Sequence, residues 1–218
     1  MNELSLPQLI AVWALPVLFA ITLHEVAHGW AARMLGDPTA MILGRLSLNP
    51  IKHIDPLGTV IIPGLMLALG GFIFGWAKPV PVTWENLRHP KRDMALVAAA
   101  GPLSNLLMGL VWALVMRVGL MLEPANNPVG MFLALSGAAG IRINVLLAVL
   151  NMLPIPPLDG GRVAVGLLPG RLSWQLSRVE PYGIIILLVL LMTPALGMIL
   201  SPLVSLFQGL YYGIAGIH

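Results

Sequence analysis

Two histidines and a glutamate, His24, Glu25 and His28, fall in the stretch "ITLHEVAHGW" (residues 21–30), at the end of an apolar run long enough to cross a bilayer. Positions i and i+4 of a helix share one face, so both imidazoles can reach a single ion. Glu25 then stands beside the pair, placed to take a proton from a water on that ion, which is the arrangement of a zinc site. The competing account makes the histidines interhelical hydrogen-bonding residues, with Glu25 as their counter-charge. Only five histidines occur in 218 residues, which makes an accidental HExxH rare. Each ionisable group at membrane depth also costs roughly 2.5–3.5 kcal/mol, so three together need a partner or a task.

A catalytic zinc keeps three protein ligands and one open position, so a third donor is required. Asp159 in "PPLDGGR" is the candidate: a carboxylate beside two glycines, after a proline-rich break in an apolar helix, marks irregular backbone lining a cavity. The alternative is an N-cap for a segment starting at Arg162, or a turn residue. His53, Asp55, His89 and Asp93 are expected in polar loops with solvated side chains, Glu123 and Glu180 precede prolines, and His218 is terminal.

The elements that must carry these residues are membrane helices. Hydrophobic residues make up 58% of the chain and charged ones 10%, against about 25% charged in a soluble domain. The sequence predicts an all-α polytopic membrane protein of about four to six membrane-embedded helices, in one domain over residues 1–218. Helices are expected at 7–33 with a kink at Pro16, at about 94–119, at 129–153 and at 181–200, with a shorter apolar piece at 203–217. Residues 39–56 read as a small β-hairpin or loop at the membrane surface, and "KPVPV" (78–82) as an extended edge strand or loop. Cysteine is absent, which excludes disulfides and thiolate ligands. The formal charge of +3 comes from loop Lys and Arg without interleaved aromatics, which suits anionic lipid and not nucleic acid.

With "HEVAHGW", "AAAGPLSN" and "NMLPIPPLDGG" occurring in that order, the chain resembles the site-2 protease family of intramembrane zinc metalloproteases, in its compact prokaryotic form without a PDZ domain. The resemblance covers about residues 20–165. It implies that His24, His28 and Asp159 ligate zinc, that Glu25 is the catalytic base, and that Asn151 lies beside a substrate peptide. A helix C-cap is the ordinary role of Asn151, and the two are compatible. "AAAGPLSN" reads as helix packing through small residues.

The activity expected is hydrolysis of peptide bonds in or near transmembrane segments of membrane-protein substrates. A divalent-cation transporter, or a metal-binding membrane protein without hydrolysis, is the alternative. Basic residues flanking the motif helix (Arg33, Arg45, Lys52, Lys78, Arg88, Lys91, Arg92) place the site on the cytoplasmic side of a prokaryotic inner membrane. Parity adds a constraint: if the motif helix and the two spans before Asp159 are to bring all three ligands together, residues 57–75 cannot cross. They are expected to form a re-entrant segment, despite being long enough to span.

Overall fold

The structure is a computed structural model and describes residues 4–61 and 78–217. Among these residues every regular element is helical. The α-helices are α1 (Leu6–Met34), α2 (Thr39–Ile42), α3 (Pro90–Met121), α4 (Pro128–Asn151), α5 (Asp159–Leu167), α6 (Gly170–Ser177), α7 (Gly183–Leu191) and α8 (Ala195–Ala215). Among the described residues five stretches are long and apolar enough to cross a membrane: α1, α3, α4, the α6–α7 stretch Gly170–Leu191, and α8. That agrees with a multi-pass membrane protein.

The pattern within α3 is that of a lipid-facing helix. Leu103, Leu107 and Val111 point outward and are exposed, whereas Gly101, Asn105, Gly109 and Trp112 face inward. Apolar exposure costs little in hydrocarbon, so small residues and hydrogen-bonding groups, not large aliphatics, mark the packed face. Trp112 and Met116 of α3, Ile141 and Val145 of α4, and Leu200 and Tyr211 of α8 form the main apolar core. The Tyr211 hydroxyl donates to Leu106 O at 2.7 Å, tying α8 to α3. Helix α1 packs on α3 and α4, and α5 packs on α3, which brings the two ends of the chemistry-bearing sequence together.

Three expectations change in the structure. The hairpin over 39–56 is replaced by α2 and a 3-10 turn at Pro50–His53, and no strand occurs among the described residues. Local side-chain bonds explain this. Asp37 accepts from Thr39 N–H and Asn49 from Ile51 N–H, each starting a helical turn in place of a ladder. The stretch 78–82 likewise has no strand. The second change is the helix break expected after residue 200, which falls at Thr193–Pro194, while α8 runs on through Pro202. Pro194 has no N–H for Leu190 O. Thr193 supplies both its N–H (3.2 Å) and its hydroxyl (3.0 Å) to that carbonyl, closing α7 there. Helix α1, by contrast, continues unbroken through Pro16. The third change concerns loop residues expected to be solvated: His53 and Asp93 are buried. His53 Nε2 donates to Ser47 O, and Asp93 accepts His89 N–H at the start of α3. Neither joins His24 and His28 in a group able to hold a metal ion.

The re-entrant expectation at 57–75 falls, for residues 62–75, outside the described residues. The flanks of that stretch meet: Lys78 N–H donates to His53 O at 2.9 Å, and Arg45 donates to the carbonyls of Lys52, Lys78 and Pro79.

Candidate metal centre

His24 and His28 lie in the second half of α1, one turn apart, with their Nε2 atoms 3.1 Å from each other. Asp159 opens α5, and its Oδ2 lies 3.1 Å from His24 Nε2 and 3.3 Å from His28 Nε2. Among the described residues, these three bring their donor atoms close enough together to hold a metal ion. Asp159 is the first residue of its helix and makes no capping bond, and the N-cap position belongs to Leu158. The capping alternative is therefore not its role.

Hydrogen bonds behind the rings decide which atoms face the centre. His28 Nδ1 lies 2.8 Å from Val97 O, and a carbonyl can only accept, so Nδ1 carries the proton. His24 Nδ1 lies 2.6 Å from Asn105 Oδ1. Both Nε2 atoms therefore present lone pairs to the carboxylate oxygen. Asp159 Oδ2 is buried and accepts no hydrogen bond. Three buried lone pairs pointing at one another repel unless a cation lies between them. Their separations of 3.1–3.3 Å are close to the edge of about 3.3 Å required by tetrahedral ligation at zinc distances of about 2.0–2.1 Å. The residues fit a zinc ion.

Glycines make the approach possible. A Cβ at Gly101 would stand 2.7 Å from His24 Cε1 and nearer still to the His28 ring, so α3 can pass the imidazoles only with glycine there. Gly160 and Gly161, buried behind Asp159, leave no room for side chains against the backbone of residues 152–156, which lets the start of α5 press into that turn.

Glu25 borders the same cavity of about 180 Å³, with Asn151, Val80 and Arg162. Its Oε2 accepts the Val80 N–H at 2.7 Å. Asn151 ends α4 and donates its amide to Leu147 O at 3.0 Å, so it both closes the helix and lines the cavity. All five residues named from the sequence therefore meet in one place. The sequence reading passed over Asn105, taken as packing in "AAAGPLSN", as well as the Val97 carbonyl and the Val80 N–H. A primary amide in the middle of an apolar helix was the available signal for Asn105. Backbone donors and acceptors leave no trace in residue type.

A metal centre formed by an HExxH helix and a carboxylate as third ligand, set among membrane helices, defines a class of membrane metalloprotein, and the relatives of this chain agree with it. The chain is 36% identical over 197 residues to "Putative zinc metalloprotease YwhC" of Bacillus subtilis, covering 87% of this chain and 84% of that protein. It is 33% identical over 188 residues to "Putative zinc metalloprotease Rip2" of Mycolicibacterium smegmatis, covering 86% and 67%. A shorter match, 42% over 67 residues, joins it to "Putative zinc metalloprotease MJ0611" of Methanocaldococcus jannaschii. No family model and no solved structure matches. The chain belongs to the site-2 protease family of zinc metalloproteases.

Proposed function

We propose that the protein hydrolyses peptide bonds in or near transmembrane segments of membrane-protein substrates, as one membrane-embedded domain, with zinc held by His24, His28 and Asp159. The observation that carries this reading is the convergence of three buried lone pairs, from His24, His28 and Asp159, beside the carboxylate of Glu25. Bound zinc supplies Lewis-acid polarisation of a carbonyl and a lowered pKa for water. Glu25 takes the proton of the attacking water and passes it to the leaving amine. Val80 N–H donates to that carboxylate and holds it in place. Asn151 is the group beside the substrate backbone, since it lines the same cavity as the histidines and Glu25. Surrounding helices shield the polar cavity from lipid, as a water-consuming reaction requires.

The centre faces the cytoplasmic side in this reading. Arg33 ends α1, Lys91 and Arg92 begin α3, and Arg45 joins the Lys52 and Lys78 segments, so the basic residues gather near the ligand-bearing end of α1.

Cleavage of a transmembrane reporter by wild type and by Glu25→Gln in the same membranes tests the function. The variant keeps every ligand, so zinc content is expected to stay stoichiometric while cleavage falls about 10²–10⁴-fold, the range of general-base catalysis. Equal cleavage by the two proteins would remove the mechanism, and absence of zinc from the wild type would remove the site.

A further inference from the structure

Behind His24 lies a chain of buried amide hydrogen bonds that crosses three helices. Asn105 of α3 and Asn144 of α4 are both fully buried, at 0% exposure. Asn105 donates its amide to Ala20 O of α1 at 3.1 Å and to Asn144 Oδ1 at 3.0 Å. Asn144 donates its own amide to Gly140 O at 2.9 Å. Both amide protons of Asn105 are thereby used, and its Oδ1 is left facing His24 Nδ1 at 2.6 Å.

The direction of the chain is fixed by its far ends. The carbonyls of Ala20 and Gly140 can only accept. Turning Asn105 over would set its Oδ1 3.1 Å from Ala20 O, acceptor against acceptor. Turning Asn144 over would do the same at Gly140. Two backbone carbonyls, one on α1 and one on α4, therefore dictate through two side chains that His24 carries its proton on Nδ1 and its lone pair on Nε2.

We propose that Asn105 and Asn144 form a relay that locks His24 in its metal-binding tautomer and ring orientation, Asn105 being a positioning residue for the zinc site and Asn144 the residue that orients it. The inference rests on the zinc reading above for its consequence, while the tautomer can be measured without the ion. A polar group behind a ligating imidazole raises its basicity and holds its plane, and its removal costs about 10–100-fold in metal affinity. His28 has a backbone carbonyl in that place, which no substitution removes, so His24 is the ligand whose support lies in side chains.

Two measurements test the relay. In metal-free, detergent-solubilised wild type under mildly alkaline conditions, ¹⁵N NMR of the imidazoles should show His24 protonated at Nδ1. Protonation at Nε2 overturns the proposal with no variant involved. Zinc affinity, measured by competition with a chelator, should fall about 10–100-fold in Asn105→Ala. It should fall by less in Asn105→Asp, which keeps an oxygen to accept from His24, although its second oxygen must hold a proton to face the Ala20 and Asn144 oxygens. Asn144→Ala should show a smaller loss, since Ala20 O still orients Asn105. Unchanged affinity in Asn105→Ala, or equal loss in the Ala and Asp variants, would reduce Asn105 to a packing residue. Should Asn105→Ala fail to fold, the NMR result and the Asp variant still decide the matter. A wild type that binds no zinc yet shows the Nδ1–H tautomer would sink the functional reading and leave the relay standing.

Discussion

Two clusters of buried polar groups lie along the second half of α1 and the turn after it, and they differ in how their hydrogen bonds close. Around Asp37 everything closes. Its carboxylate accepts from Thr39 N–H (3.0 Å), the Thr39 hydroxyl (2.5 Å), Thr83 N–H (2.7 Å) and the Asn86 amide (3.0 Å). Gly36, at a φ of 116° that favours glycine, turns the chain out of α1 so that Asp37 can do this. Around His24 the outer bonds close and the inner ones do not: each imidazole is satisfied at Nδ1, and three lone pairs point at one another. A folded protein leaves buried acceptors in that state where a ligand answers them. The first cluster fastens residues 83–86 to the end of α1; the second is built for an ion.

The largest effect should come from opening the second cluster. Asp159→Ala removes one of the three ligands, so zinc retention against a chelator is expected to fall by more than the roughly hundredfold that loss of a supporting group costs. Cleavage should disappear with it. Added zinc raises the melting temperature of wild type by mass action, and the variant should not respond. Stoichiometric zinc in folded Asp159→Ala would mean that the two clusters do not differ as argued, and that Asp159 shares a proton with the histidines instead.

Residues 78–82 reach the second cluster through Glu25 and lead directly into Thr83 of the first. Val80 donates its N–H to Glu25 at 2.7 Å, and its buried side chain packs near Gly29. Val80→Pro deletes that donor between two existing prolines. A hydrogen bond to a charged group is worth about 1.5–3 kcal/mol, so the turnover number should fall about 10–100-fold with zinc retained. Val80→Ala is the control, since it keeps the N–H and loses only packing. Equal losses in both would show that the strip supports the cavity wall without acting on the base.

Legibility in the sequence followed the same division. His24, Glu25 and His28 were legible because one helical turn fixes their relation, and Asp159 because a carboxylate has few reasons to follow a proline-rich break in an apolar helix. The long helices were legible from hydropathy. Asn105 was visible as a polar residue in lipid but not as a partner of His24, because the pairing spans 81 positions and depends on how α3 meets α1. The helix end at Thr193 required choosing between Pro194 and Pro202 as the residue that stops the helix, a choice that residue types do not rank. The hairpin misread had a similar cause. Polar, turn-rich residues at 39–56 suit a ladder or a set of capped turns equally, and Asp37 and Asn49 selected the turns.

The smallest effect concerns the closed cluster and reads on stability. Burial opposes a charge on Asp37, but the bonds from the Thr39 hydroxyl, the Asn86 amide and the Thr39 and Thr83 N–H groups outweigh it and hold its carboxyl below the usual value. A carboxylate whose pKa is lower in the folded state stabilises fully above its unfolded value of about 3.9, and that contribution is lost as pH falls through the folded value. Asp37→Asn presents an NH₂ group in place of one oxygen, so at least the Thr83 N–H loses its partner and stability should drop by about 1–3 kcal/mol at neutral pH. Cleavage per folded molecule should change by less than about threefold, because the ligands and Glu25 keep their bonds. Denaturant titrations of both proteins from about pH 6 to pH 3 should show a constant gap at the upper end that narrows below about pH 4, where wild type alone takes up a proton. A gap that stays constant to the lowest pH would mean that the charge of Asp37 contributes nothing, and a large loss of zinc in Asp37→Asn would mean that the two clusters are one.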